Sequence, residues 1–569
     1  MIPAMKWAPK FLSWFVAPAP PGPPGRLLPR WIFLRALGLI YFSAFYSLVF
    51  QIRGLLGPHG LLPAGSYLQT VAKALGPARF WYAPTLLWLN GGSHALVILC
   101  WVGMIAAILL ILNFWPRVML FICFLAFLSF VSAAQDFSGY QSDGMLLSAG
   151  FISLFFAPPG PRPRWSESSP PSRASLFLLQ FVWFSIYFES GIAKYFGGDP
   201  SWRNFTAMDQ YYQNGPLPTW IGWYAHQFPH WFHAFTAFLT LFTELFVVWM
   251  LFLPRRFRII CFFIVTPFEV SIILTANYTF LNYLVLFLGI LLLDDGFLIK
   301  FLPERWASPV QKNLDRTSPP SLFERTVVAL DLCSESPGPS GAGAPVASRA
   351  PHLALSRSSV SHQFISAAGL WLSALFLGWT FYAMFFLFVV QFSRNSPLPA
   401  KPVGWLEPFR IANQYGLFGR MTWARYEIEF QGSNDGVTWS AYGFRYKPQD
   451  LGEAPRVYAP YQPRFDWNLW FASLGSWREN PFVVRTEQLL LTNDQDVLSL
   501  FAGNPFPQSP PRQVRAVLWQ YWFTDLATKR STGLWWRREY RGLYAPALER
   551  SPDGKVFVFD WPQALPPPP

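Results

Sequence analysis

The chain has 569 residues, of which 52% are hydrophobic, 19% are aromatic and only 13% are charged. Soluble globular proteins carry about 25% charged residues, so this composition excludes an ordinary soluble protein and indicates a membrane protein with one extramembrane domain. The formal net charge is +13. The sequence has neither an RNA-binding motif nor a long basic run, which argues against a nucleic-acid partner.

Taken in chain order, nine apolar stretches predict a polytopic α-helical membrane bundle of eight or nine spans. A helix needs about 20 apolar residues to cross a bilayer. The fourth and eighth stretches are shorter, so each is either a crossing or a buried half-span. The nine stretches are residues 31–50, 92–112, 118–134, 143–157, 174–196, 231–253, 257–275, 280–293 and 364–392.

Loop cations predict the orientation of the bundle, because Lys and Arg are enriched in cytoplasmic loops. The tail 1–30 is predicted to be cytoplasmic, and the first span is predicted to be a retained signal anchor behind Lys6, Lys10, Arg26 and Arg30. The cytoplasmic loops of a nine-span topology hold Arg117, Arg162, Arg164, Arg173, Arg255, Arg256 and Arg258. The opposite loops hold Arg53, Lys73, Arg79 and Arg203.

The boundaries that follow divide the chain into a membrane domain at 31–293, a linker at 294–362, a last span at 363–393 and a domain at 394–569. The linker contains SESPGPSGAGAPVAS at 334–348, a composition that cannot bury a core and predicts a flexible cytoplasmic segment.

The last span then places residues 394–569 on the non-cytosolic side. Polar and apolar residues alternate at 426–446 around an Asn-Asp-Gly turn at 434–436, which predicts a β-hairpin. A strand is predicted at 556–561 and helix at 483–500. These patterns indicate a β-rich α+β domain.

The charged residues within the predicted spans that need an explanation are Arg35, Glu189, Lys194, Glu244 and Glu269. A charge at the bilayer centre costs about 2.5–3.5 kcal/mol on insertion scales, so such residues face the bundle interior and find partners. One interpretation is a set of structural ion pairs, with Lys194 bound to Glu244 or Glu269 and Arg35 nearby. The other is a polar pocket in which the carboxylates and Lys194 converge on a substrate or a proton.

The stretch between two spans, 197–233, holds many Trp residues and three of the seven His residues. His226, His230 and His233 have a spacing that would suit a metal on one helix face. Pro229 interrupts that helix, and the tryptophans favour an aromatic belt at the membrane–water interface. We therefore predict neither a metal site nor a cofactor, and no catalytic motif such as GxSxG is present.

Two Asn-X-Thr sequons begin at Asn204 and Asn277. Both fall on the predicted non-cytosolic side. Asn277 is too close to the membrane to be an acceptor, so Asn204 is the predicted glycosylation site if the host glycosylates. Cys100, Cys123 and Cys261 lie in apolar runs and are predicted to be core residues.

Several stretches resemble the lipase maturation factor family, in order along nearly the whole chain. They include RGLLGPHGLLPAGSYL (53–68), the tryptophan-rich 202–233, LTANYTFLNYLVLFLGILLLDD (274–295), EIEFQGSNDGVTW (427–439), QPRFDWNLWFASL (462–474) and TGLWWRREYRGLY (532–544). The resemblance implies an endoplasmic reticulum membrane protein in eukaryotes that helps secreted lipases to fold and assemble. In a bacterial host, the location would be the inner or plasma membrane. The membrane part is also distantly similar to vitamin K-dependent carboxylase-like domains.

The function predicted from these features is a membrane-anchored maturation factor, or chaperone, for secreted client proteins. Trp535, Trp536, Arg537, Arg538 and Arg541 are the predicted client-binding residues, because Trp and Arg are favoured at binding hot spots. The alternative is a membrane enzyme that uses the charged residues of the bundle. A transporter is disfavoured because the sequence lacks visible repeats. The sequence does not fix the oligomeric state.

Overall fold

A computed structural model describes residues 15–16, 25–164, 170–315, 357–393 and 397–563. Each of the nine predicted spans overlaps one helix. These helices are α1 (Leu27–Val49), α2 (Ser93–Ile111), α3 (Pro116–Val131), α4 (Gln141–Phe156), α5 (Arg173–Phe196), α6 (His230–Leu245), α7 (Arg255–Thr275), α8 (Leu281–Gly289) and α9 (Arg357–Phe392). A 3₁₀ segment extends α6 over Val247–Phe252, and another extends α8 over Ile290–Leu292.

Six of the helices in the described part of the chain are long and apolar enough to cross a membrane. They are Leu27–Val49, Ser93–Ile111, Arg173–Phe196, His230–Phe252, Arg255–Thr275 and Gly369–Phe392. The segments Pro116–Val131 and Leu281–Leu292 are shorter apolar helices, and α4 has 16 residues. The predicted helical membrane bundle is therefore confirmed.

Helix α5 is the centre of the bundle. It packs against α4, α6, α8 and α9, and most of its length is buried. A helix that is apolar on every side is expected to be buried in this way. Ser172 caps its first turn by accepting a hydrogen bond from the Ser175 backbone N–H at 3.2 Å. Helix α7, in contrast, is largely exposed on the outside of the bundle, as a lipid-facing helix would be.

The predicted flexible linker does not begin at residue 294. The residues after α8 form Asp295–Leu298, the 3₁₀ segment Ile299–Phe301 and Glu304–Asp315. Asp294 accepts hydrogen bonds from Arg255 at 2.5 and 2.7 Å, and Asp295 accepts from the first two backbone N–H groups of α1. These carboxylates anchor the segment to the bundle, which corrects the boundary. The low-complexity stretch 334–348 lies outside the described residues, and 357–362 belongs to α9.

Eleven shorter helical and 3₁₀ segments in the described chain connect the main elements. Those before the last span are Ile52–Leu56, Ala64–Leu75, Gly76–Ala78, Arg79–Tyr82, Leu86–Trp88, Gln135–Ser138, Pro200–Arg203, Ala207–Asn214 and Trp220–His226. Those after it are Lys401–Gly404 and Glu407–Phe409.

The C-terminal domain, residues 425–563, is built on a six-stranded antiparallel sheet. Its strands are β1 (Arg425–Ser433), β2 (Ser440–Ala441), β3 (Gln513–Phe523), β4 (Trp536–Leu543), β5 (Ala547–Arg550) and β6 (Val556–Asp560). The order is β2-β1-β3-β5-β6, and β4 also pairs with β3. Helices α10 (Arg464–Ser473) and α11 (Pro481–Leu490) cover one face, with the short helices Gln495–Leu498 and Leu526–Thr532 nearby in sequence.

The predicted hairpin is present, since β1 pairs with β2 at Gln431 and Ala441. The turn is stabilised by Asp435, whose carboxylate accepts hydrogen bonds from the Val437 and Thr438 backbone N–H groups at 2.9 and 2.7 Å. The predicted strand at 556–561 corresponds to β6. The predicted helix at 483–500 is two helices, because the chain turns at Asn493, where φ is 51°. The β-rich α+β prediction is confirmed.

Glu487 gives the C-terminal domain a predicted pH dependence. This carboxyl group is fully buried in α11, and burial raises its pKa well above the ordinary value. The folded domain therefore holds a proton that the unfolded chain releases, so stability is greatest below the unfolded pKa of about 4.3 and falls as pH rises toward the folded pKa. We expect Glu487→Gln to be more stable than the wild type at pH 8, by about 1–3 kcal/mol.

Thermal unfolding at pH 5 and pH 8 measures this difference. Glu539→Gln is the matched control, because its side chain is 59% exposed. The substitution at Glu487 should reduce the difference in melting temperature between pH 5 and pH 8, and the control should leave that difference unchanged. Some slope will remain, because burial also raises the pKa of Asp466 to about 7. Equal profiles for the wild type and Glu487→Gln would contradict the assignment.

Candidate functional site

The C-terminal domain is fixed to the membrane domain by a buried ion pair. Arg464, at the start of α10, binds Asp143, in the first turn of α4, with two N–O distances of 2.8 Å. Both side chains are almost completely buried. Arg464 also donates to the Phe137 carbonyl at 2.6 Å and lies over the Phe130 ring, 4.6 Å from its centroid. The pair connects the two domains.

Asn277 makes a second connection between the domains. Its Nδ2 donates to the Leu217 carbonyl at 3.1 Å and to the Arg456 carbonyl at 2.8 Å. Its Oδ1 accepts from the backbone N–H groups of Tyr458 and Ala459. The side chain is 2% exposed. Asn277, the first residue of one sequon, therefore has a structural role. Asn204, the first residue of the other sequon, follows Pro200–Arg203 and is exposed.

Replacing Asn277 with Ala is expected to loosen the contact between the domains. The change removes the partner of three part-buried backbone groups in the 456–459 segment, and leaving a buried group unsatisfied costs about 1–3 kcal/mol. Hydrogen–deuterium exchange should rise in residues 456–462 of the Asn277→Ala variant. Asn204→Ala is the matched control at an exposed site and should leave exchange unchanged. Unaltered exchange in the Asn277 variant would show that this residue does not hold the segment.

The structure places Lys194, Glu244 and Glu269 around one cavity of about 490 Å³ within the membrane domain. Lys194 Nζ donates to both oxygens of Glu244 at 2.7 and 2.8 Å. Glu269 accepts from the Tyr187 hydroxyl and from Asn282 Nδ2, each at 2.5 Å. The sequence left two interpretations open, a structural ion pair and a polar pocket. The cavity contains both, because the ion pair of Lys194 and Glu244 lies in the same wall as Glu269.

Glu189 and Arg35 do not belong to this cavity, which corrects the predicted pocket. Glu189 is buried, and its carboxylate accepts a hydrogen bond from the Tyr415 backbone N–H at 2.8 Å. It therefore positions the segment that follows α9. Arg35 lies on α1 against Trp31, one helical turn away, with 4.9 Å between the guanidinium and the ring centroid. The positions of these five charged residues in the sequence could not show that only Lys194, Glu244 and Glu269 line the same cavity.

The tryptophan-rich stretch 197–233 is only partly an exposed belt. Trp220 is 45% and Trp231 is 69% exposed, as expected for residues at an interface with lipid and water. Trp202 and Trp223 are buried. The Trp223 ring contacts Trp535 at a centroid distance of 5.0 Å. Trp223 therefore binds the C-terminal domain, a use that the sequence pattern did not reveal.

The three histidines of this stretch have separate environments. His230 is exposed and pairs with Asp209, with 2.9 Å between Nδ1 and the carboxylate. His226 is largely buried, and burial lowers its pKa to about 4, so it is neutral at pH 7. His233 is also buried. Within the described ranges, no group of three His, Cys, Asp or Glu residues is arranged to hold a metal ion.

The predicted client-binding residues do not form one exposed patch. Trp536 is 1% exposed, and Trp535 is partly buried against Trp223. Their burial corrects the prediction, because neither ring is free for a client. Alternation along β4 then divides the three arginines. Arg537 and Arg541 lie beside Trp522, whereas Arg538 binds Glu429 at 3.1 Å on the opposite face.

That opposite face carries a row of arginine and aromatic side chains. We call it the outer sheet face, and it comprises Trp439, Arg515, Trp519, Arg538, Tyr540 and Phe559. Arg515 lies 3.9 Å from the centroid of the Trp439 ring, and Arg538 lies 4.1 Å from that of Trp519. Tyr540 is 48% exposed. Strand alternation is the only signal in the sequence for this face, since its members come from three strands and a turn.

Comparison with known proteins identifies the same two parts. Residues 28–300 match the model of the lipase maturation factor transmembrane domain, and residues 411–546 match that of the lipase maturation factor C-terminal domain. No solved structure matches the chain.

Three relatives that align with most of the chain are about 30% identical to it in sequence. Lipase maturation factor 2 of Gallus gallus is 31% identical, over 92% of this chain and 82% of that protein. Lipase maturation factor 1 of Bos taurus is 30% identical, over 96% of this chain and 94% of the relative. Lipase maturation factor 2 of Homo sapiens is 30% identical, over 92% of this chain and 83% of that protein. The chain is an integral membrane protein and belongs to the lipase maturation factor family.

Proposed function

We propose that this protein is a membrane-anchored maturation factor that binds partly folded secreted proteins, lipases among them, through the outer sheet face. The observation that carries the proposal is the partly exposed row of arginine and aromatic side chains on a domain fixed to a membrane bundle. The names of the relatives supply the client class. Catalysis is not required for this role, which needs only binding and release.

The chemistry of the outer sheet face suits an incompletely folded protein. Tyr and Trp offer large contact areas with little loss of side-chain freedom, and Arg pairs with carboxylates and with aromatic rings. Cation–π contacts hold Arg515 and Arg538 over tryptophan rings, so their orientation exists before a client arrives. Preorganisation of this kind lowers the entropic cost of binding.

The buried ion pair between Arg464 and Asp143 keeps this surface at a fixed position relative to the bundle. We infer that the C-terminal domain is non-cytosolic, on the basis of the loop cations. In a eukaryotic host this side is the lumen of the endoplasmic reticulum, and in a bacterium it is outside the inner membrane. Exported proteins emerge there unfolded, so a fixed binding surface beside the bilayer would meet them early.

Complementation tests the proposal. The chain would be expressed in animal cells that lack their own lipase maturation factors and make a secreted lipase. We expect active lipase in the medium to increase severalfold over cells with an empty vector. The variant Arg515→Glu/Tyr540→Ala, present in the membrane at equal amount, should lose most of that increase.

The matched control is Arg537→Ala/Arg541→Ala, which alters the arginines beside Trp522 on the other face of the same sheet. It should retain the wild-type increase. Equal activity of all three proteins would contradict a role for the outer sheet face. Failure of the wild type to raise secreted activity would contradict a lipase as the client.

A further inference from the structure

The cavity that contains Lys194 and Glu244 reaches the outside of the bundle on its lipid-facing side. Helices α6 and α7 both line it. Helix α7 packs on the 3₁₀ extension of α6, Val247–Phe252, whereas His230–Leu245 packs mainly on other elements and makes little contact with α7. Lining residues on both helices are also exposed, with Leu239 at 38% and Ile264 at 42%. The gap between the two helices is therefore a lateral entrance from the bilayer.

Most of the cavity wall is apolar and a smaller number of polar groups line it, as in a site for an amphiphile. The volume of about 490 Å³ lies within the range of about 300–1,000 Å³ for small-molecule sites. Apolar lining comes from Ile186, Leu239, Ile264, Phe268, Ile272 and Leu281. A hydrocarbon chain would contact these residues.

The polar part of the wall presents mainly hydrogen-bond acceptors. The hydroxyl hydrogens of Thr236 and Thr240 are used in bonds to backbone carbonyls, each at 2.9 Å, which leaves their oxygens as acceptors. Asn282 donates to Glu269, so its Oδ1 is left as an acceptor without a partner, and the residue is only 6% exposed. A buried acceptor of this kind costs free energy until a donor reaches it.

The charged residues in the cavity also restrict which lipid headgroup can bind. Lys194 is bound to both oxygens of Glu244, so it offers no free charge to an anion. Glu269 is held by Tyr187 and Asn282. A carboxylate or phosphate is an acceptor only and would face oxygen atoms. An uncharged alcohol can donate to the wall and avoids the cost of burying a charge.

We propose that this cavity binds a single-chain, uncharged, hydroxyl-bearing lipid that enters between α6 and α7. The chain of the lipid lies along the apolar residues, and its hydroxyl groups donate to Asn282 and the threonine oxygens. The hydroxyls of Tyr211 and Tyr212, which also line the cavity, can accept or donate. This role is independent of client binding at the outer sheet face.

Photo-crosslinking tests this assignment on the full-length protein in membranes. One probe is a 1-monoacylglycerol ether with a photoreactive group and an alkyne tag in its chain. The second is a fatty acid with the same chain. We expect the glycerol probe to label the protein at least fivefold more than the acid, at peptides that line the cavity within 186–212, 225–285 or 417–418. Equal labelling by the two probes, or labelling only of peptides outside these ranges, would overturn the proposal.

Substitutions within α6 locate the site. Thr240→Trp fills the cavity, and labelling by the glycerol probe should fall at least fivefold. Phe235→Trp is the matched control, because Phe235 lies on the same helix and is 52% exposed. If Thr240→Trp does not accumulate in the membrane, Thr236→Phe fills the same space with a smaller ring. Unchanged labelling in the folded cavity variants would overturn the proposal.

Discussion

Replacing Arg464 with Ala is expected to cost about 3–5 kcal/mol, because it leaves the buried Asp143 carboxylate without a partner. The side chains of both residues are almost completely buried, and the pair lies between the two domains. The variant should therefore show a lower melting temperature in detergent and faster protease release of the C-terminal domain. Asp143→Ala should have a comparable effect, since it leaves the guanidinium uncompensated.

The double variant Asp143→Leu/Arg464→Met separates loss of charge pairing from loss of packing. Replacing a buried ion pair by apolar residues of similar volume is often neutral or stabilising, so the double variant should recover much of the loss. Arg512→Ala is the surface control. Arg512 pairs with Glu549 at 2.9 Å but is 61% exposed, and such pairs contribute about 0–1 kcal/mol. Similar melting temperatures for Arg464→Ala and Arg512→Ala would contradict the interface described above.

The second large effect is expected at Lys194. Lys194→Met removes the ammonium group and leaves Glu244 unpaired in the membrane domain, at a cost of about 3–5 kcal/mol. The two side chains are only 4% and 8% exposed, so the lost partner is not replaced by bulk solvent. The purified variant should melt at a lower temperature than the wild type.

Removing both charges should be tolerated much better than removing one. Lys194→Met/Glu244→Leu keeps the volume approximately constant and leaves neither charge unpaired. A double-mutant cycle measures the coupling between the two residues. A coupling close to zero would mean that the cavity solvates each charge separately, and the ion pair would then have no structural role.

Local sequence patterns were sufficient for the membrane helices, for the hairpin of β1 and β2 and for β6, but β3, β4, β5 and α10 were not predicted. Alternation around Asn434 gave the hairpin of β1 and β2, and apolar stretches gave all nine helices that were predicted as spans. The boundary at Asp294 was wrong because the prediction weighed the glycine- and proline-rich composition farther along. It overlooked two adjacent carboxylates. Asp294 caps Asp295–Leu298 and binds Arg255, and Asp295 accepts hydrogen bonds from the start of α1.

Most contacts between distant segments could not be predicted from one sequence. The pair of Lys194 with Glu244 was one of two pairings expected for charges inside the spans, and the structure contains it. Arg464 lies 321 residues from Asp143, and a single sequence carries no signal for that pair. The expectation for Trp535 and Trp536 failed for a related reason, because an adjacent Trp pair is compatible with a binding surface and with a domain interface. Only the register of β3 and β4 distinguishes Arg538, on the outer sheet face, from Arg537.

Site-specific photo-crosslinking in cells that make a secreted lipase tests directly whether the outer sheet face binds clients. A photoreactive amino acid would replace Tyr540, on the outer sheet face. In a separate protein it would replace Glu539, the neighbouring residue on the other face. We expect newly made lipase to crosslink to position 540 and not to position 539. Equal crosslinking at both positions, or none at 540, would contradict the assignment of the outer sheet face as the client-binding surface.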